Sequence, residues 1–324
     1  MGDGVLAIVT GSNGFIGTNL SLRLLELGHQ VIGIDALTDN YDPSVKIRNG
    51  QVLKDFNSFE SKNLDLLIGP LEPILEKADV VFHLAGQPSV QNSWGDDFQI
   101  YVDRNIVLSQ RILRAALNVG VPRVVNSSSS SVYGKVKKTP TNENDEKSPV
   151  SPYGVTKLAG ENLSTLYGRE FGLSTVSLRY FTVYGPRQRP DMAFNKLIRA
   201  GLGGTAFHLH GDGTQIRDFT HVDDVVEANL LAATAQVNPG SVFNVGGGSP
   251  VSMSYVIEEI GTILGRPVLI ENEPFGAGNP MITEADCRST KDQLHWTPKI
   301  GIKEGLLSQI DWQKNSLHAQ GPQD

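Results

Sequence analysis

The chain has 324 residues, which is enough to bury a sizeable core in one domain or two. Its 35 acidic and 28 basic residues give a net charge of −7, which argues against a nucleic-acid-binding protein. The single cysteine, Cys287, excludes an internal disulfide framework. The chain also shows no apolar run of transmembrane length, no basic secretory signal and no metal-ligand pattern among its histidines. We therefore expect a cytoplasmic protein with neither a membrane partner nor a metal.

The amino-terminal segment has the order strand, glycine-rich turn, helix. Residues 5–9 are an apolar run typical of a buried strand, and the amphipathic helical pattern after the turn ends at Gly28. Between them, Gly11, Gly14 and Gly17 have the spacing G-x-x-G-x-x-G rather than G-x-G-x-x-G. Such glycines allow a tight turn and the close approach of a pyrophosphate to the helix amino terminus, so this segment predicts a dinucleotide site.

The second predicted strand indicates which dinucleotide is bound. It covers residues 31–34 and ends at Asp35, eighteen residues after Gly17. A carboxylate at this place accepts hydrogen bonds from the adenosine ribose and repels a 2′-phosphate. We therefore predict NAD rather than NADP. The alternative, a surface glycine turn beside an unrelated aspartate, does not explain why all the elements are in register.

Farther along the chain, strand-like runs alternate with helical patterns. We predict strands at 80–85, 124–128 and 174–178, and helices at roughly 103–119 and 153–171. This alternation predicts an α/β fold with a Rossmann-type doubly wound parallel sheet.

The pattern changes after Thr182, where glycine and proline become frequent and the helices become shorter. This predicts a smaller carboxy-terminal α/β substrate lobe that shares segments with the sheet, with the ligand in the cleft between them. Our assignment of the chain is 1–181 and about 218–243 to the NAD-binding domain, about 182–217 and 244–314 to the lobe, and 315–324 to a polar tail.

Tyr153 and Lys157 lie four residues apart in a predicted helix, and therefore on one helix face. A free tyrosine has a pKa of about 10 and is a poor base at neutral pH. A fixed positive charge nearby favours the phenolate and lowers that pKa, so the two residues can act as a proton-transfer pair beside a hydride acceptor. In isolation they would be a tyrosine at a helix start and a solvated lysine, but the dinucleotide segment supplies the acceptor.

These motifs, in this order along nearly the whole chain, resemble those of the extended short-chain dehydrogenase/reductase family, specifically its nucleotide-sugar epimerases and dehydratases. Within that family the chain is most similar to the UDP-glucuronate 4-epimerases. The residues that carry the resemblance are Thr10-Gly11-x-x-Gly14-Phe15-Ile16-Gly17, Asp35, His83-Leu84-Ala85-Gly86, Ser128-Ser129-Ser130-Ser131-Val132-Tyr133-Gly134, Tyr153-x-x-x-Lys157, Arg179-Tyr180-Phe181-Thr182-Val183-Tyr184-Gly185-Pro186 and, for the nucleotide diphosphate, Gly211-Asp212-Gly213 through Arg217-Asp218-Phe219 to Asp223-Asp224.

The resemblance implies a mechanism for inverting carbon 4 of a UDP-sugar. Tyr153 would act as general base on the sugar 4-hydroxyl, and Ser129 would hydrogen-bond the same oxygen. Lys157 would bind the nicotinamide ribose and lower the pKa of Tyr153. Hydride would pass to a tightly held NAD and return to the opposite face of a 4-keto sugar, so that NAD is regenerated in each turnover.

The resemblance also implies binding residues. The expected cofactor contacts, in addition to Tyr153 and Lys157, are Gly11, Asn13, Gly14, Phe15, Ile16, Gly17, Asp35, Asp65, Leu66, Leu84, Ala85, Gly86 and Tyr180. The expected substrate contacts are Ser89, Ser130, Ser131, Thr182, Arg189, Arg217 and Asp223. Arg217 would pair with a diphosphate oxygen, whereas Asp223 could either contact a ribose or cap a helix. The family also implies a homodimer formed through the helices at 103–119 and 153–171.

The serine run discriminates between reactions of the family. Sugar 4,6-dehydratases carry an acid pair after the first hydroxyl residue, and uronate decarboxylases usually carry a glutamate there. This chain has Ser130 and Ser131 at those places, and serine cannot act as a carboxylic acid near neutral pH. Epimerisation at carbon 4 requires no such acid, so the serine run favours an epimerase.

The identity of the sugar depends on fewer residues. Thr182 stands where galactose-type epimerases usually have asparagine, and residues 182–191 resemble the uronate group. Gln91 stands where uronate epimerases commonly have arginine, and Asn279 replaces a frequent aspartate. We therefore expect UDP-glucuronate as substrate and keep a UDP-glucose/UDP-galactose 4-epimerase as the main alternative. A UDP-glucuronate decarboxylase, an NADPH-consuming 4-keto-sugar reductase and a non-enzymatic NAD(P) sensor are weaker alternatives.

Overall fold

A computed structural model describes residues 4–274 and 280–318 of the protein. Within these residues, seven parallel strands form one sheet in the order β11-β6-β5-β4-β1-β2-β3. The strands of this sheet are β1 (Leu6–Thr10), β2 (Gln30–Asp35), β3 (Phe59–Asn63), β4 (Val80–His83), β5 (Val124–Ser129), β6 (Thr175–Tyr180) and β11 (Ser241–Val245).

Helices pack on both faces of this sheet, and others belong to the carboxy-terminal part of the chain. The bounds of the helices in the described residues are α1 (Phe15–Glu26), α2 (Pro43–Gln51), α3 (Glu72–Leu75), α4 (Phe98–Tyr101), α5 (Leu108–Val119), α6 (Pro152–Phe171), α7 (Ala193–Gly201), α8 (Val222–Thr234), α9 (Met253–Leu264), α10 (Arg288–Leu294) and α11 (Ile302–His318). Successive residues of a strand point to opposite faces. Accordingly, Ala7 and Val9 pack in the core cluster that contains α1 and α8, whereas Ile8 packs in the cluster that contains α5. The predicted doubly wound sheet is confirmed.

The carboxy-terminal part of the described chain has its own core. Tyr184, Phe194, Val256 and Leu306 are buried in one cluster together with side chains of α7, α9 and α11. Three pairs of short strands accompany it, namely β7 (Thr182–Tyr184) with β10 (Phe219–His221), β9 (Ile216–Arg217) with β12 (Val251–Ser252), and β8 (Phe207–His210) with β13 (Ile270–Glu273). This second core lies in the part of the chain where we predict the smaller lobe. Helix α11 continues past the expected start of the tail at residue 315 to His318.

One helix differs from its predicted form. The helix expected at 103–119 begins earlier, at α4, and a π-helical segment, Val102–Val107, joins α4 to α5. Such segments are rare and are frequent at functional sites. No helix within the described ranges is long and apolar enough to cross a membrane.

Candidate active site

A cavity of about 430 Å³ opens at the carboxyl ends of the sheet strands. The neighbours of β1 are β2 on one side and β4 on the other, so the chain reverses its winding direction there. A crevice at such a reversal is the usual ligand site of doubly wound sheets. The predicted site residues in its lining are Gly11, Gly14, Phe15, Ile16, Gly17, Asp35, Leu66, Leu84, Ala85, Gly86, Ser89, Ser129, Ser130, Ser131, Tyr153, Lys157, Tyr180, Thr182 and Arg189.

Glycine at two positions, one in the turn after β1 and one in the first turn of α1, allows the close backbone approach that a pyrophosphate site requires. Gly11 has φ +70°, and a Cβ there would lie 3.0 Å from the backbone of Ala85. A Cβ on Gly17 would lie 2.1 Å from the carbonyl oxygen of Gly11, so α1 packs directly against the turn. Gly14 is the amino-terminal cap of α1, and no side chain caps its free N–H groups. The helix amino terminus that faces the cavity therefore fits an anionic group.

Asp35 lies at the end of β2 and is fixed by the backbone. One carboxylate oxygen accepts a hydrogen bond from the Asn13 N–H at 3.1 Å, and the other accepts one from the Leu37 N–H at 2.8 Å. The carboxylate is thus held at the cavity edge with acceptor capacity left for ribose hydroxyls. Asn13 itself is not in the cavity lining, because its side chain bonds Ser12 and its carbonyl accepts from Asn49 of α2.

Tyr153, Lys157 and Ser129 meet at the other end of the cavity. Tyr153 and Lys157 project from the first two turns of α6, whose amino terminus is capped by the Ser151 hydroxyl. The hydroxyl of Ser129, at the end of β5, lies close enough to the phenol of Tyr153 to lower its pKa. The ammonium of Lys157 donates a hydrogen bond to the backbone carbonyl of Ser127.

The groups that lower the pKa of Tyr153 are not the ones that we expected. Burial raises the pKa of Tyr153, and the groups that act in the opposite direction are the Ser129 hydroxyl and the positive charge of Arg189. We expected Lys157 to lower this pKa, but its ammonium is directed to the carbonyl of Ser127. Burial also lowers the pKa of Lys157 to about 8, while the carboxylate of Glu161 acts in the opposite direction.

The π-helical segment supplies two cavity residues that we did not predict, Arg104 and Asn105. Arg104 forms a two-pronged ion pair with Asp65, with N–O distances of 2.6 and 2.8 Å. Arg104 is part of the cavity lining and Asp65 is not, so the contact of Asp65 with adenine stays a prediction. Asn105 holds the loop after β4 by exchanging two hydrogen bonds with the backbone of Gln87.

The loop after β2 and helix α2 also contribute cavity residues that we missed, Tyr41 and Lys46 respectively. The Lys46 ammonium lies 4.8 Å from the centre of the Tyr41 ring, and the guanidinium of Arg189 lies 5.9 Å from it. Arg189 is also held by a two-pronged pair with Asp191. Arg189 therefore lies near both Tyr41 and Tyr153.

Two expected substrate residues, Arg217 and Asp223, lie outside the cavity lining. The guanidinium of Arg217 donates to the carbonyls of Ile216 and Met281, and burial lowers its pKa. Asp223 is in the first turn of α8 with its side chain 62% exposed. The ring of His221, rather than Asp223, caps this helix by accepting the Asp223 N–H.

Gln91, one of the two residues that raise doubt about the substrate, is not part of the cavity lining. Gln91 is exposed in a short 3₁₀ turn, Gln91–Trp94. Asn279 lies outside the described residues.

A doubly wound sheet with a dinucleotide turn, an acidic ribose partner and a Tyr–Lys–Ser group defines an enzyme of the short-chain dehydrogenase/reductase type that uses a dinucleotide cofactor. The chain belongs to the NAD-dependent epimerase/dehydratase family, whose model matches residues 7–246. The family resemblance inferred from the sequence motifs is thereby confirmed.

Individual relatives are similar to this protein along nearly its whole chain. An uncharacterised UDP-glucose epimerase of Bacillus subtilis, YtcB, is 41% identical over 94% of this chain and 96% of its own. A UDP-glucuronate 4-epimerase of Thermodesulfobacterium geofontis is 34% identical, with 96% of each chain covered. The crystal structure of UDP-glucuronic acid 4-epimerase from Bacillus cereus, in complex with UDP-glucuronic acid and NAD, superposes with a TM-score of 0.93 at 38% identity, covering 96% of this chain and 100% of that one.

Proposed function

We propose that this chain is an NAD-dependent epimerase that inverts carbon 4 of UDP-glucuronate to give UDP-galacturonate through a transient 4-keto sugar. The observation that carries the proposal is the convergence of Tyr153, Ser129 and Lys157 at one end of the cavity, beside serines at positions 130 and 131. The similarity to UDP-glucuronate 4-epimerases of two other organisms supports the same substrate.

The residues of the cavity divide the work of the reaction. Tyr153 takes the proton of the sugar 4-hydroxyl and returns it after the ring has turned over, while Ser129 hydrogen-bonds the same oxygen. Lys157 would hold the ribose of the nicotinamide half of NAD. The glycine turn after β1 and the carboxylate of Asp35 would hold the adenosine half. When bound, NAD supplies the hydride acceptor at carbon 4 and the donor for the opposite face.

A uronate adds a chemical difficulty that this site must meet. A ketone at carbon 4 turns the carboxylate on carbon 5 into part of a β-keto acid, which loses carbon dioxide readily. The enzyme must hold that carboxylate close to the ring plane, away from the geometry of cleavage. Hydroxyl groups of Ser130, Ser131 and Thr182, all in the cavity lining, can donate the hydrogen bonds that do so.

The most direct experiment is incubation of the purified protein with UDP-glucuronate and no added NAD, followed by identification of the product. UDP-galacturonate is the expected product. It should form without added NAD, because the enzyme retains its NAD and regenerates it in each turnover. A UDP-pentose would instead indicate a decarboxylase, and turnover that consumes added NADPH in proportion to product would indicate a reductase.

A UDP-glucose/UDP-galactose 4-epimerase is the second candidate, with the same catalytic residues and a neutral substrate. Two observations favour it: the name of the Bacillus subtilis relative, and Gln91 in place of an arginine. Comparing kcat/KM for UDP-glucuronate and UDP-glucose by chromatography of the products decides between the two substrates.

We also propose a homodimer formed through α4, α5 and α6. Several large apolar side chains on these helices are exposed, including Phe98, Ile100, Val155 and Leu166 at 40–49%. Val155 and Leu166 are eleven residues apart, which places them on one face of α6. Light scattering of the native protein should give a mass in solution twice that of the chain, and the Leu166→Glu variant should give the mass of one chain. A native protein that has the mass of one chain would contradict this proposal.

A further inference from the structure

A buried ion pair joins Glu161, one helical turn after Lys157 on α6, to Arg179 of β6. The side chains of Glu161 and Arg179 are 3% and 2% exposed, and they form a two-pronged contact with N–O distances of 2.6 and 2.8 Å. Replacing such a pair by apolar residues of similar volume is often neutral or stabilising. Stability alone therefore does not account for this pair, and its position suggests another role.

Helix α6 meets the three serines 127–129 of β5 through one residue in each of three successive turns. The three contacts are Tyr153 with the Ser129 hydroxyl, Lys157 with the Ser127 carbonyl, and Glu161 with the Ser128 hydroxyl. The last is a 2.6 Å hydrogen bond from a buried serine to a carboxylate, which is a strong type of hydrogen bond. Ser128 lies between the two residues that the catalytic pair touches, so this contact fixes the height of α6 along β5.

Arg179 is itself held in place by two neighbouring strands. In the sheet register it stands beside Ser128 of β5 on one side and beside Asn244 of β11 on the other. Its guanidinium donates to the Tyr133 hydroxyl at 2.6 Å, and that hydroxyl donates to Asn244 at 2.6 Å. Because Arg179 is anchored across three strands, the Glu161 carboxylate has one favourable position.

We propose that Glu161 is a positioning residue for the reaction: together with Arg179 it ties α6 to Ser128 and so sets the distance of Tyr153 and Lys157 from the serine strand. The inference deepens the proposed epimerase function and rests on it for the kinetic readout, but it also makes a prediction that requires no turnover.

The surroundings of Lys157 give Glu161 a second effect. Burial lowers the pKa of Lys157 to about 8, and Glu161 is the group that acts in the opposite direction. Of the other titratable groups near Lys157, His83 of β4 has a pKa lowered by burial to about 3 and is neutral, and Tyr180 of β6 has a pKa raised by burial. Glu161 therefore helps to keep the ammonium protonated at neutral pH.

The first test compares two serine-to-alanine variants on the same pair of strands. Ser128→Ala removes the contact with Glu161 and leaves the ion pair intact. Ser177→Ala is the matched control, because Ser177 of β6 is 1% exposed and accepts a 3.1 Å hydrogen bond from Asn126 of β5. We expect Ser128→Ala to lower kcat about tenfold with little change in KM, and Ser177→Ala to change kcat less than about twofold. Equal kcat values for the two variants would overturn the proposal.

The second test follows the charge of Lys157 directly. The double variant Glu161→Gln with Arg179→Met avoids leaving one buried charge without its partner. Lysine-selective NMR, with the signal assigned by Lys157→Met, should show a lower pKa for Lys157 in the double variant than in the native protein. An unchanged pKa would contradict the role of Glu161 at Lys157. This result holds whether or not the protein turns over UDP-glucuronate, so failure of the proposed function is recognised separately, by a native protein that is inactive on every UDP-sugar.

Discussion

The ammonium of Lys157 donates its hydrogen bond to the backbone carbonyl of Ser127, on the same strand that carries Ser129. The Ser129 hydroxyl, rather than the Lys157 ammonium, is the neighbour that lowers the pKa of the Tyr153 phenol. Under the proposed mechanism, Lys157 is a fixed cation in the cavity lining, and Tyr153 and Ser129 form the group that meets the reacting hydroxyl.

Tyr153→Phe should abolish most of the activity. The substitution removes the phenol oxygen and keeps the ring. The edge-on contact of this ring with the Tyr101 ring, with 6.4 Å between the ring centres, can therefore persist. Because a positioned general base contributes roughly 10²–10⁴-fold, kcat should fall by about that factor. Product chromatography measures the loss, and the NAD content of the purified variant should match that of the native protein. Activity within about twofold of native would sink the proposed mechanism.

Activity and stability should depend on pH in opposite directions through Lys157. The pKa of its ammonium is about 8 in the folded protein, against about 10.4 in an unfolded chain. As the pH rises through about 8, Lys157 loses its charge and kcat should fall. Between the two values the unfolded state binds more protons, so the unfavourable contribution of the buried ammonium to stability is fully present below the folded pKa and is relieved as the pH rises.

Urea unfolding of the cofactor-free protein at pH 7 and pH 10 tests the stability part. The native protein should gain stability relative to Lys157→Met between these two pH values. A stability difference that stays constant, or changes in favour of Lys157→Met, would show that Lys157 keeps an ordinary pKa in the folded state.

Asp35→Ser should weaken NAD binding and relax the choice between NAD and NADP. The substitution removes the carboxylate that accepts the N–H groups of Asn13 and Leu37 at the cavity edge. Losing a hydrogen bond to a charged group costs roughly 1.5–3 kcal/mol, which corresponds to a loss of affinity of about tenfold or more. The 2′-phosphate of NADP no longer meets a negative charge, so the ratio of the two affinities should move toward NADP.

Calorimetric titration of the cofactor-free variant with each dinucleotide measures this ratio. Asp39→Ser is a matched control, because Asp39 is an acid four residues later, in the loop after β2, and is not in the cavity lining. If Asp35→Ser kept the native ratio of affinities, the assignment of cofactor specificity to this carboxylate would be wrong.

The elements that the sequence predicted well are those whose pattern is local. The glycine turn, Asp35 and the pair of Tyr153 and Lys157 each sit at the end of an apolar strand or on a regular helix, so their surroundings follow from neighbours in the chain. Strand β3, Phe59–Asn63, was missed because it lies at the sheet edge and carries exposed polar side chains in place of an apolar run.

The missed site residues depend on contacts between distant segments. Arg104 enters the cavity because a π-helical segment rotates it there and Asp65, thirty-nine residues earlier, holds it. Tyr41 meets Arg189 across the cavity from another part of the chain. Arg217 donates to the carbonyls of Ile216 and Met281, and its expected pairing with a diphosphate stays a prediction. Local patterns carry no information about such long-range partners.

Thr182→Ala should change the products of the reaction as well as its rate. Thr182 begins β7, directly after the last residues of β6, and its side chain lies in the cavity lining with Ser130 and Ser131. Without its hydroxyl, the substrate carboxylate is held by fewer donors, and more of the 4-keto uronate should reach the geometry in which carbon dioxide leaves. We expect kcat for UDP-glucuronate to fall about tenfold, the equivalent of one lost hydrogen bond to a charged group, and a UDP-pentose to appear beside UDP-galacturonate.

Thr182→Ser, which keeps the hydroxyl, is the matched control and should give little pentose. Turnover of UDP-glucose, which has no carboxylate, should change less than about twofold in Thr182→Ala. If Thr182→Ala kept full activity on UDP-glucuronate and formed no pentose, the carboxylate must be held by other groups, and the uronate assignment would lose the residue on which it depends most.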